Sequence, residues 1–98
     1  MTPRLTLRPI ARAEIEEAYG WYEERLAGLG EEFLAAVRDA LTAVEEAPRR
    51  HPVIRNGVRR ALVRRFPYSI LYMAEPGATV VLACFHGSRD PRRWHDRR

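Results

Sequence analysis

The chain has 98 residues, enough for one domain with a thin core. Hydrophobic residues make up 46% and charged residues 31%, an ordinary globular mix. No apolar run reaches the roughly 18 residues of a membrane span, and the single cysteine, Cys84, excludes an internal disulfide.

The net charge is +4, and all 17 basic residues are arginine. With no lysine, a lysine base or Schiff base is excluded. The charge is unevenly placed. Residues 1–47 carry five arginines against ten acids, and residues 48–98 carry twelve arginines against Glu75, Asp90 and Asp96. Such asymmetry points to a polyanion or an acidic partner for the second half. A GC-rich genome that spells its surface cations as arginine would give the same counts.

Residues 1–9 alternate polar and apolar and lack the apolar stretch of a secretory leader, so a cytoplasmic protein is expected. Over residues 4–8, Leu5 and Leu7 share one face, which predicts a short half-buried strand closed by Pro9. The period then changes. Ile15, Tyr19, Tyr22 and Leu26 form one apolar stripe of a helix over residues 10–27, with acids crowded into its first turns. Gly20 inside this helix suggests a close neighbour. Gly28-Leu29-Gly30 breaks the pattern. Leu34, Val37, Leu41 and Val44, with Phe33 beside them, predict a second helix over residues 31–47, stopped by Pro48. Two amphipathic helices with so short a turn pack as an antiparallel hairpin.

Residues 48–56 read as a loop, in which His51 is expected to be exposed. Residues 58–66 read as a strand carrying Arg59, Arg60, Arg64 and Arg65, and residues 68–73 as a second strand with Tyr68, Ile70 and Tyr72 on one face. The turn at residues 75–78 leads into a third strand over residues 79–86, apolar on both faces and therefore interior to the sheet. A polar, arginine-rich tail follows. The fold expected is α+β: an N-terminal strand and a helical hairpin packed on a mostly antiparallel sheet, in the order β-α-α-β-β-β, as one domain over residues 1–98. The first strand is free to join an edge.

Two segments are more specific. Arg65-Phe66-Pro67-Tyr68-Ser69-Ile70-Leu71-Tyr72, and the ending His86-Gly87-Ser88-Arg89-Asp90-Pro91-Arg92-Arg93-Trp94, resemble the ParE/RelE superfamily of bacterial type II toxins, also called plasmid stabilisation proteins. The length and element order agree over nearly the whole chain. The resemblance implies a RelE/ParE-like fold and a growth-inhibiting toxin neutralised by a cognate antitoxin, and it allows a toxin–antitoxin hetero-oligomer. No cofactor, metal or membrane is implied. RelE-like members cut mRNA on the ribosome without metal, and ParE-like members inhibit DNA gyrase. Arg89 occupies the place of the family's post-strand arginine. The C-terminal tyrosine of the ribonucleases has no match, since Trp94 and His95 stand in that neighbourhood, and Ser69 stands where they carry a strand arginine. A tryptophan cannot transfer a proton in the tyrosine's place. The chain therefore sides with ParE, with gyrase as the target. If it is instead a ribonuclease acting on ribosome and mRNA, the candidate catalytic groups are His86, Arg89 and His95.

The remaining candidates each carry two readings. Arg59, Arg60, Arg64 and Arg65 either form a surface for phosphates or antitoxin carboxylates, or pair with glutamates of the helices. Arg92, Arg93, Trp94, Arg97 and Arg98 either contact a polyanionic target or form a tail whose tryptophan packs back on the core. Tyr19, Trp21 and Tyr22 on the first helix are candidate antitoxin contacts, with Trp21 off the apolar stripe. Tyr68 and Tyr72 read as sheet packing, and Cys84 as an inert core residue.

Overall fold

The computed structural model describes residues 4–97, so Arg98 lies outside the described residues. In chain order these form β1 (Arg4–Leu7), α1 (Pro9–Arg25), α2 (Leu29–Glu46), β2 (Val53–Arg55), β3 (Val58–Leu62), β4 (Tyr68–Glu75), β5 (Ala78–His86) and a one-turn α3 (Arg92–His95). The strands make one sheet in the order β1-β5-β4-β3-β2. From β2 to β5 it is an antiparallel meander, and β1 joins the far edge parallel to β5, with Arg4 opposite Ala78 and Leu7 opposite Val81. No helix among the described residues is long and apolar enough to cross a membrane.

The hairpin covers one face of the sheet. The buried stripe of α1 runs Ala11, Ile15 and Ala18 and continues into the half-buried Tyr22, while Leu26 is 62% exposed because the helix ends before it. The first turn of α1 holds Pro9 but no acid, contrary to the charge pattern expected there. From α2, Phe33, Val37, Ala40 and Val44 meet Ala61, Val63, Ile70, Tyr72, Val81 and Cys84 of the sheet and its turns. The helices close on each other at Gly30, not at Gly20. A Cβ on Gly30 would lie 2.8 Å from the Tyr19 carbonyl oxygen, whereas Gly20 has nothing within 4 Å. The Glu23 carboxylate accepts from the Gly28 and Gly30 amides, both at 2.9 Å, and so caps α2 from the preceding helix.

The opposite face has only a thin cover. Val58, Leu71, Leu82, Ala83 and Phe85 pack around Trp94, brought back by α3. Leu82 and Ala83 share this face because β5 bulges: Leu71 pairs with Ala83 but Tyr72 pairs with Val81. The bulge lies just past the end of β1, where the β5 edge has lost its strand neighbour. Glu14 and Arg97 fill the gap. Glu14 accepts from the Cys84 amide at 3.1 Å, Arg97 donates to the Leu82 carbonyl at 3.4 Å, and the two side chains pair at 2.9 Å.

Three further sequence expectations need correction. The loop at residues 48–56 contains an edge strand, β2, turned into β3 by Asn56 and Gly57 in left-handed conformations. The strand expected to reach Phe66 stops at Leu62, because Arg65 takes a positive φ and Pro67 has no amide to offer the ladder. His51 is half-buried, not exposed, with Nε2 enclosed and unpaired.

Candidate interaction site

A cavity of about 380 Å³ opens where the second half of α1 passes the end of the sheet. Helical spacing sets one wall: Glu17 and Trp21 are one turn apart, with Ala18 and Tyr22 beside them. The other wall comes from the β4 start and the β5 end. Tyr68 pairs directly with His86, and the Gly87 amide donates to the Pro67 carbonyl at 2.8 Å. The chain then turns, with the Arg89 amide on the His86 carbonyl at 3.1 Å, which places Ser88 and Arg89 at the mouth.

The floor is aromatic. Tyr22 and Tyr68 line it, and both pack on Phe33, with Phe66 against Tyr22 and Phe33; the paired ring centroids lie 5.0–6.3 Å apart, mostly edge to face. Burial pushes the Tyr22 and Tyr68 hydroxyls above their ordinary pKa, with Arg89 partly offsetting this at Tyr68. Trp21 is 50% exposed, and the Arg25 guanidinium lies 3.7 Å from its ring centroid.

The polar groups are few and distinct. Arg89 donates to Glu17 at 3.5 Å across the mouth. His86 Nδ1 lies 3.0 Å from the Ser88 amide and 2.8 Å from its hydroxyl. An amide can only donate, so Nδ1 accepts, and neutral His86 carries its proton on Nε2. The site thus offers one loosely held guanidinium, one fixed imidazole and an apolar floor. Among the described residues no cluster of His, Cys, Asp and Glu is arranged to hold a metal ion.

The structure brings together Trp21, Tyr22, His86 and Arg89, which the sequence analysis singled out separately. It does not bring His95 with them: that ring packs edge to face on Trp94, 4.7 Å away. Trp94 itself is buried under the sheet and has no free face for a target. Tyr19 lies against Gly30 at the hairpin contact and does not line the cavity. Arg59 is half-buried and donates to the Arg49 and His51 carbonyls at 3.0 and 2.6 Å, so it holds the loop before β2. Arg65 pairs with Glu32 at 3.2 Å, and Arg92 grips Asp90 at 2.7 Å. Arg60, Arg64 and Arg93 are exposed. Glu17, Tyr68 and Ser88 are members of the site that sequence reasoning missed, Tyr68 having been read as sheet packing alone. Glu17 stands one helical turn before Trp21 on the same face, which is the signal that was available.

No protein-family model matches the chain, and no curated protein matches it in sequence. Among solved structures it is similar to a chain of the chromosomal ParDE TA system from P. aeruginosa, with a TM-score of 0.69 and 21% sequence identity. The match covers 87% of this chain and 96% of that one. The α+β architecture expected from the sequence is therefore the fold that this chain shares with a member of a ParDE system.

Proposed function

We propose that the protein is the toxin of a type II toxin–antitoxin pair, of the ParE kind, acting in the cytoplasm as one domain. In this reading a cognate antitoxin binds and neutralises it, and the free protein arrests growth by binding DNA gyrase. The observation that carries the reading is the fold shared with nearly the full length of a ParDE chain. The composition of the site supports binding over chemistry. Only His86 and Arg89 of the three candidate catalytic residues line the cavity, and Arg89 already faces the Glu17 carboxylate. The antitoxin segment expected is acidic with apolar anchors, ordering along the hairpin and an exposed sheet edge.

Ribosome-dependent mRNA cleavage is the second reading, favoured by the presence of His86 and Arg89 in one cavity. One purified sample separates the two. Gyrase with supercoiled DNA and ATP is expected to be inhibited or trapped on cleaved DNA, while mRNA on translating ribosomes stays intact. Codon-phased mRNA cuts with unaffected gyrase would establish the second reading. Normal growth on expression without an antitoxin would remove both.

A further inference from the structure

We infer that the cavity between α1 and the β4–β5 end seats one carboxylate, carried beside a bulky apolar side chain on a polypeptide partner, and that Glu17 fills the carboxylate position while the partner is absent. The inference deepens the proposed function and rests on its reading of the partner as an antitoxin polypeptide.

The contrast between two ion pairs carries it. Arg97 and Glu14 meet at 2.9 Å with side chains 13% and 17% exposed, and both also bind backbone groups of β5. That is a permanent structural pair. Arg89 and Glu17 meet at 3.5 Å through one contact, 39% and 72% exposed. Such a pair contributes little to stability and is readily exchanged. Arg89 is thus a cation at a cavity mouth whose present partner is a replaceable carboxylate. Glu17 shows the chemistry the position accepts.

His86, which lines the same cavity, supplies a second donor. The Ser88 amide fixes Nδ1 of His86 as an acceptor, which leaves Nε2–H as the donor that the ring can offer. Ser88 is a positioning residue for this group. The rest of the cavity suits an apolar side chain: Trp21, Tyr22 and Tyr68 present ring surface, and Arg25 steadies the outer face of Trp21. Charge selects against a nucleic-acid backbone. Among the described residues Arg89 is the one arginine that lines the cavity, and it stands opposite the Glu17 carboxylate, so the cavity offers no row of cations for successive phosphates. A single carboxylate needs only the one guanidinium.

The test uses the full chain and two blocked tripeptides, acetyl-Leu-Glu-Phe-amide and acetyl-Leu-Gln-Phe-amide, followed by NMR of the Trp21 indole and Arg89 guanidinium N–H signals. The glutamate peptide is expected to shift both signals and to bind about tenfold more tightly than the glutamine peptide, the size of a charged hydrogen bond. Glu17→Gln should tighten the glutamate peptide about two- to fivefold by removing the internal competitor. Arg89→Gln should erase the difference between the peptides. Equal binding of the two peptides, no shift of either signal at millimolar peptide, or an unchanged affinity in Glu17→Gln would each overturn the inference. So would a short single-stranded RNA that shifts the same signals at lower concentration. A protein that arrests growth and is rescued by an antitoxin, yet fails the peptide test, loses the carboxylate seat and keeps the toxin reading.

Discussion

Phe33 has no exposed surface and meets Tyr22, Phe66 and Tyr68 with centroids 5.2–5.3 Å away. It therefore joins the helical hairpin to the β3–β4 turn and supports the floor of the cavity from beneath. Truncation to alanine removes the ring and leaves a void that rigid neighbours cannot fill. Phe33→Ala is expected to destabilise the fold by about 3–5 kcal/mol, read from the urea midpoint, whereas Phe33→Leu should lose less than about 1.5 kcal/mol. Gly30 is the complementary case, where the smallest side chain is required because the Tyr19 backbone lies where a Cβ would go. Cys84 belongs with the inert core: burial first, and then Glu14, push its thiol up to about 12.

At the scale of elements, β5 is held differently along its length. Its first half lies between two strands, and beyond Val81 the β1 side is closed by Glu14 and Arg97 instead. Removing Arg97 leaves a half-buried carboxylate and a backbone carbonyl without their cation. Arg97→Ala is expected to lower stability by about 1–3 kcal/mol in urea unfolding, while Arg92→Ala, at an exposed pair, should leave the midpoint unmoved. The hairpin was readable in the sequence because its apolar residues repeat at helical spacing and Gly28 and Pro48 punctuate it. The bulge was not readable, because β5 is apolar on both faces and its phase leaves no trace in residue type. The edge strand β2 had a signal in Asn56-Gly57, but three exposed residues carry no alternation of burial. The four residues that converge on the cavity were each visible. Their meeting depends on where the hairpin lies across the sheet, which no local pattern encodes. Charge counting likewise could not distinguish Arg59, spent on loop carbonyls, from Arg60, which faces solvent.

For the whole molecule, the buried protonated groups set the response to alkali. Tyr22, Tyr68 and Tyr72 are all raised, burial being the largest cause for each, and Cys84 is raised from 9.0 to about 12. Above about pH 9 the unfolded chain releases protons that the native chain keeps, so stability falls as pH rises. The contribution is fully present below that point and is lost as pH climbs toward about 12. Urea midpoints measured between pH 8 and 10.5 should therefore decline, and Cys84→Ala should show a shallower decline than the parent whatever its absolute stability.

The pairing of β1 with β5 joins nearly the first described residues to a strand close to the last. Closing so long a loop makes the sheet slow to complete. While the chain is being synthesised, the hairpin can form early, but β1 has no strand to meet until β5 has emerged. The cavity has the same requirement, since α1 gives one wall and the end of β5 the other. A nascent chain whose hairpin has formed but whose sheet is still open therefore lacks the wall that Tyr68, His86 and Arg89 supply, and anything that recognises this cavity has to wait for β5.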